Sequence, residues 1–230
     1  MAMKISEIFY SIQGEGKLTG TPSVFVRTSG CNLRCTWCDT PYTSWSAEGE
    51  EISNGEIVER ILLYPANHVV LTGGEPLIAP GVEELTRAIR TAGKHLTIET
   101  AATVWKDVVC DLASLSPKLD NSTPVDREGG RFARAHDEQR INLETIRHCM
   151  KLGDYQLKFV VDRPEDMIEI DDLLRQIGDV LPQDVFMMPQ GVTAAALQAK
   201  DPWLVRLCLD RGFRYSPRLH ILLFGNKRGT

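Results

Sequence analysis

Short apolar runs of strand length alternate along the chain with amphipathic stretches of helical period. Ser23–Val26, His68–Leu71, His95–Ile98, Leu112–Ser116, Gln156–Val161, Val185–Met188 and Arg214–Pro217 are mostly β-branched or aromatic and predict strands. Between several of them, Ser53–Leu63, Val82–Thr91, Asn142–Leu152, Pro164–Ile177 and Ala194–Asp210 repeat their apolar positions as one face of a helix does. Strand, helix and strand in turn predict an α/β fold of parallel strands with outer helices, in which ligands gather at the carboxyl ends of the strands. The polar segments Ser44–Asn54 and Leu119–Gln139, rich in Gly and charge, predict surface loops. No repeat or linker divides the chain, so 1–230 is expected to be a single domain.

The unusual residues fall where that fold places ligands. Gly30-Cys31 follows the first predicted strand, Thr72-Gly73-Gly74-Glu75-Pro76 the second, Glu99-Thr100 the third, Ser116-Pro117-Lys118 the fourth, and Pro189-Gln190 the strand ending at Met188. Cys31, Cys35 and Cys38 stand in a C-x3-C-x2-C pattern, and no fourth cysteine follows before Cys110. Three thiolates on a four-iron cluster leave one iron without a protein ligand, and an open metal position is where a small molecule binds and reacts. The spacing alone also allows a structural zinc site completed by a distant His or Cys, or three unrelated buried cysteines. Paired glycines after a strand permit backbone conformations closed to other residues, and by themselves mark only a tight turn.

Composition narrows the partners. Six cysteines, three crowded into one loop and three (Cys110, Cys149, Cys208) in apolar periodic settings, do not resemble a secreted disulfide framework; the latter three predict core packing. The formal charge of −5 argues against a nucleic-acid-binding protein. No signal peptide or membrane-spanning run is expected, which predicts a cytoplasmic protein. His68, His95, His136 and His148 show no ligand spacing and predict packing or surface roles, His220 stays open, and Arg127–Arg147 interleaves acids as a solvated face does.

The cysteine loop resembles that of the radical S-adenosylmethionine (SAM) enzymes. In these the amino and carboxylate groups of SAM chelate the unique iron, and a Gly-Gly-Glu-Pro segment such as 73–76 binds the SAM amino group. The resemblance sharpens with Ser6 to Gly16 and its Gln13-Gly14-Glu15-Gly16 turn, Gly20-Thr21-Pro22-Ser23-Val24-Phe25-Val26-Arg27, Cys38-Asp39-Thr40 and the tail Arg218 to Gly229. Together these are similar to the 7-carboxy-7-deazaguanine synthases of queuosine and 7-deazapurine biosynthesis, from residue 6 to the end.

That resemblance implies a reduced, partial (β/α) barrel of the radical SAM type, with an N-terminal substrate-binding turn and a C-terminal tail. It implies a homodimer, and an electron donor such as flavodoxin or ferredoxin. The implied reaction is ring contraction of 6-carboxy-5,6,7,8-tetrahydropterin to 7-carboxy-7-deazaguanine with loss of ammonia, SAM being regenerated. It further implies a [4Fe–4S] cluster on Cys31, Cys35 and Cys38, and Mg2+ on Thr40. SAM is implied to lie against Trp37, Cys38, Asp39, Gly74, Ser116, Pro117, Lys118, Met187, Met188, Pro189 and Gln190. Ile12, Gln13, Gly14, Glu15, Arg27 and Thr72 are implied to meet the substrate, with Arg27 on its carboxylate, as a guanidinium fork suits. A glycyl-radical-enzyme activase shares the cysteine loop, but the Gln13–Gly16 turn and Thr40 argue against it. An iron–sulfur electron carrier would want four protein ligands per cluster.

Overall fold

The computed structural model describes residues 1–230. In chain order the elements are β1 (Ala2–Ile12), β2 (Pro22–Thr28), α1 (Pro41–Ser44), β3 (Glu50–Ser53), α2 (Asn54–Leu62), β4 (His68–Gly73), α3 (Val82–Thr91), β5 (His95–Thr100) and β6 (Leu112–Leu115). They continue with α4 (Ala133–Gln139), α5 (Leu143–Cys149), β7 (Asp154–Val161), α6 (Asp166–Ile177), β8 (Val185–Pro189), α7 (Ala194–Gln198), α8 (Asp201–Arg211), β9 (Arg214–Tyr215) and α9 (Leu219–Phe224). One sheet holds all nine strands in the order β3-β1-β2-β4-β5-β6-β7-β8-β9. From β2 to β9 every pairing is parallel, while β1 runs antiparallel to both its neighbours. With β3 and β9 at its two ends the sheet is open, a partial rather than a closed barrel.

Side chains alternate across a strand, and here the two faces differ in chemistry. Val24 and Val26, Val69 and Leu71, Leu96 and Ile98, Leu157, Phe159 and Val161 face the helices and join one core with Ile57, Leu85, Ile89, Ile146 and Ile170. The intervening positions, Arg27, Thr72, Glu99, Ser116, Lys158 and Met188, face the concave side and line a cavity.

All seven predicted strands are present, and α3 has the predicted bounds. The predicted helix Ala194–Asp210 is two helices, because Pro202 in the first turn of α8 brings no amide to continue α7. The segments expected to be loops contain β3, α4 and two short 3-10 turns. β1 and α9 had no predicted counterpart: β1 mixes polar residues with apolar ones, and α9 is only six residues long.

Candidate active site

The cavity has a volume of about 510 Å³ and opens at the carboxyl ends of the parallel strands. Cys31, Cys35 and Cys38 lie on one side of it. The loop that carries them is fixed by its backbone: Gly30 N–H donates to Thr43 O at 2.8 Å, Thr36 N–H to Ser122 O at 2.8 Å, and the Trp45 indole to Cys35 O at 3.0 Å. The Arg34 amide donates to His136 Nδ1 at 3.0 Å, and His136 Nε2 lies 2.9 Å from Ser122 Oγ. Ser122 already donates to Leu119 O, so the imidazole carries its proton on Nε2. The predicted packing role of His136 is thus realised, and its place is beneath the cysteine loop.

The donor set fits a cluster, since three thiols of one loop line the same cavity. A [4Fe–4S] cluster spreads its thiolates over separate irons. Burial pushes the Cys31 thiol up to about 11 and Cys35 up to about 12, with Lys118 the nearby cation opposing that rise in both. These thiols ionise when a cationic metal centre replaces the lost hydration. Cys110, Cys149 and Cys208 are buried in the helix-covered core, away from the cavity.

The glycine pair at the end of β4, Gly73 and Gly74, is packed directly against this loop. Glu75 N–H donates to Gly30 O and Gly74 N–H to Thr28 O, so a Cβ on Gly74 would overlap the Gly30 carbonyl. Glu75 is 1% exposed and points away from solvent, accepting from Thr100 Oγ1 at 2.6 Å, Ala101 N–H at 2.8 Å and Leu77 N–H at 3.1 Å. It ties the end of β4 to the end of β5 and leaves the glycine backbone facing the cavity.

Also in the cavity lining, Gln13 donates to Glu99 at 3.0 Å and accepts from the Glu15 amide at 3.0 Å. Gly14 is pressed so close to His220 of α9 that a Cβ would strike the imidazole. Glu15 lies largely buried between Lys158 and Arg218, whose charges hold its carboxyl well below the usual carboxylate range despite the desolvation, which alone would raise it. Arg218 also pairs with Asp39 and donates to Gly191 O. Arg27, also in the lining, donates through Nε to Glu7 at 2.7 Å, and Tyr42 donates to the same carboxylate oxygen at 2.9 Å. No other hydrogen bond engages the Arg27 guanidinium, and Phe9 and Phe25 stack beside it with centroids 4.9 Å apart.

The cavity therefore gathers Ile12, Gln13, Gly14, Glu15, Arg27, Cys31, Cys35, Trp37, Cys38, Asp39, Thr40, Thr72, Gly74, Ser116, Lys118, Met188 and Gln190. Three expected SAM contacts stand off its wall. Met187 has the parity of the helix-covered face and packs in the core, and Pro117 and Pro189 are buried without lining the cavity. Glu99, expected at the strand-end mouth, lines it too, whereas Glu7, Tyr42, Lys158 and Arg218 line it without having been expected there. One signal existed for Lys158: with Gln156 it interrupts an apolar strand at alternate positions.

The radical SAM superfamily pattern matches residues 25–123. Over 230 residues, all of this chain and 89% of the relative, it is 47% identical to the 7-carboxy-7-deazaguanine synthase of Rhodopirellula baltica. The enzyme of the same name from Halobacterium salinarum is 46% identical over all of this chain and 93% of its own length. The chain belongs to the 7-carboxy-7-deazaguanine synthase family. The crystal structure of QueE from Escherichia coli superposes with a TM-score of 0.69 at 27% identity, covering 96% of this chain and 95% of that one. As a radical SAM enzyme of this family, the chain uses a [4Fe–4S] cluster and SAM, and the activase and electron-carrier alternatives fall away.

Proposed function

We propose that the chain contracts the ring of 6-carboxy-5,6,7,8-tetrahydropterin to 7-carboxy-7-deazaguanine with release of ammonia, at the cavity beneath the strand ends. The observation that carries this is the lining of one cavity, which holds both the three thiols and an arginine whose guanidinium has a single protein hydrogen-bond partner. When bound, the cluster and SAM supply the radical that takes a hydrogen atom from the substrate and returns it.

The chain's own residues bind, orient and exclude. Cys31, Cys35 and Cys38 hold the cluster. Gly74, Ser116, Lys118, Trp37, Asp39, Met188 and Gln190 form the SAM wall. Glu7 fixes Arg27 through Nε, leaving the two terminal nitrogens to take the substrate carboxylate as a fork. Gln13, Gly14 and Glu15 present the turn that meets the donor and acceptor edge of the pterin. Glu15 keeps acceptor capacity beyond its two ion pairs, since a carboxylate offers about four lone-pair sites. Thr72 adds a hydroxyl from the end of β4. Thr40 immediately precedes α1, yet its side chain makes no capping bond and its Oγ1 lies 3.8 Å from Cys38 Sγ. This supports a magnesium ligand there, since Mg2+ keeps several waters and needs few protein donors.

By the family likeness the chain assembles as a homodimer in the cytoplasm and is reduced by a flavodoxin or ferredoxin. No helix is long and apolar enough to cross a membrane. Anaerobic reconstitution with iron, sulfide and SAM, followed by incubation with the carboxytetrahydropterin, tests the reading. Formation of the deazaguanine acid is expected. SAM cleavage unaffected by the pterin, with no pterin bound by calorimetry, would overturn the substrate.

A further inference from the structure

Trp37, Val160 and Gln190 line the cavity from three different segments, and each is held from behind by a side chain that does not line it. The Trp37 indole N–H is shared between the backbone O of Asn121 at 2.9 Å and its Oδ1 at 3.2 Å. The Asn121 side chain in turn donates through Nδ2 to Val160 O at 3.1 Å and to Asp166 Oδ2 at 2.8 Å. Asp166 opens α6 with its side chain 4% exposed, and the same oxygen accepts from the Asp162 amide at 2.7 Å and the Arg163 amide at 3.2 Å, which fixes the turn out of β7. From that turn the Asp162 carboxylate meets Lys200 at 3.1 Å, and Lys200 donates to Gln190 O, just after β8, at 2.8 Å. Arg218 closes the circuit, donating to Gly191 O and pairing with Asp39, two residues on from Trp37.

A closed run of polar contacts limits how far the parts it joins can separate, because opening it at any point leaves sheltered donors and acceptors unpaired. Asn121 is the member with least freedom. Both hydrogens of its Nδ2 and its Oδ1 are engaged, so its side chain has one orientation and Trp37 is aimed with it. We propose that Asn121 and Lys200 are positioning residues for SAM, which touch neither ligand and set the spacing of Trp37, Val160 and Gln190 around it. This rests on the proposed function, in which Trp37 and Gln190 belong to the SAM wall. A site whose contacting residues are locked by a supporting layer loses less freedom when its ligand arrives. Neither Asn121 nor Lys200 hydrogen-bonds to the Gln13–Glu15 turn or to Arg27, so both act on SAM and not on the pterin. That separates them from Arg218, which joins both sites.

The experiment uses reconstituted holoenzyme, with SAM and the carboxytetrahydropterin titrated separately by calorimetry. Asn121→Ala unties its turn from β7 and α6, and Lys200→Met removes the link between Asp162 and Gln190. Each is expected to weaken SAM binding about ten-fold, as the loss of one or two hydrogen bonds would, with pterin affinity unchanged. Saturating SAM should return turnover to the wild-type rate, the pattern of lost binding rather than of a damaged fold. Asn121→Asp sets a carboxylate against Asp166 and should bind SAM more weakly than Asn121→Ala. Adding Asp166→Asn to Asn121→Asp restores a donor between the two positions and should recover much of that loss. If Asn121→Ala does not fold, Lys200→Met and the exchanged pair decide. Wild-type SAM affinity in both Lys200→Met and Asn121→Asp, equal weakening of SAM and pterin, or an exchanged pair no better than Asn121→Asp would overturn the proposal and leave the function standing. Trp37→Ala that binds SAM as tightly as wild type would instead overturn the SAM wall on which it rests.

Discussion

Arg218 and Glu15 stand 203 positions apart in the chain and meet at 3.2 Å inside the cavity wall. The same guanidinium holds Asp39, immediately after the last cysteine, and the carbonyl of Gly191, immediately after Gln190. One side chain ahead of α9 therefore ties the substrate turn, the cysteine loop and the end of β8 together. On the proposed assignment the substrate and SAM sites share it, and a shift in one is expected to move the other.

Removing one partner of a buried ion pair typically costs about 3–5 kcal/mol, because the remaining charge is left without compensation. Arg218→Ala leaves the largely buried Glu15 with Lys158 alone, while Asp39, with its side chain 38% exposed, falls back on water. It is expected to lower the melting temperature and to weaken both SAM and pterin binding, measured by calorimetry on the reconstituted protein. Arg218→Lys should recover little, since a single ammonium cannot reproduce three divergent donors. Selective loss of one ligand would show that the two sites are not coupled through this residue.

His136 gives the pH dependence. Burial, with help from Arg140 and Lys118, lowers its pKa to about 4 from an ordinary value near 6.5. A folded-state pKa below the unfolded one means that the unfolded chain binds the extra proton first. The stability this contributes is fully present above about 6.5 and is lost as pH falls toward 4. Protonation would also place a hydrogen on Nδ1, where the Arg34 amide now donates. Thermal unfolding followed by far-UV circular dichroism should show a midpoint falling across that window, and His136→Gln should flatten the slope. An equal slope in the variant would assign the effect to other groups.

Much of the sheet was legible because β2, β4, β5, β6, β7 and β8 are short apolar runs with helices between most of them. Their alternation even separates the cavity face from the core, but only once it is known which parity faces which layer; that is why Met187 was expected in the SAM wall while Lys158 was not. β1 escaped because Lys4, Glu7 and Tyr10 interrupt it, and Glu7 is polar for a reason found only in three dimensions, the grip on Arg27. The Glu15, Lys158 and Arg218 network joins positions 143 and 203 residues apart, which no local spacing can reveal. The cysteine loop was legible because its chemistry is local.

The cluster ligands are a sharp test. Cys31→Ala, Cys35→Ala or Cys38→Ala should each abolish the visible absorption of the cluster and SAM cleavage. Cys110→Ala, Cys149→Ala and Cys208→Ala should keep both, at a cost of about 1 kcal/mol in stability for the small cavity left behind. An intact, active cluster in Cys35→Ala would sink the assignment.

Thr40 is expected to act through its hydroxyl. Thr40→Val keeps the shape of the side chain and should retain cluster absorbance and SAM binding, while losing most of the rate gained on adding Mg2+. Thr40→Ser should keep that response. A magnesium titration indistinguishable from wild type in the valine variant would place the ion elsewhere.

Arg27 tests the substrate most directly. Its Nε is committed to Glu7 and its terminal nitrogens are not engaged, so the group is oriented before ligand arrives. Losing a buried, charge-assisted partner of a carboxylate costs about 2–5 kcal/mol, or roughly 30- to 5,000-fold in affinity. Arg27→Ala should therefore bind the carboxytetrahydropterin that much more weakly by calorimetry, while SAM affinity and slow uncoupled SAM cleavage persist, since other residues build that site. Arg27→Lys should restore only part of the loss, because a point charge replaces a fork. Glu7→Gln should have a smaller effect, since it keeps an oxygen acceptor for Nε but removes the charge that fixes the guanidinium. If Arg27→Ala binds the pterin as well as wild type does, the carboxylate lies against another cation, and Lys158 in the same cavity becomes the residue to change next.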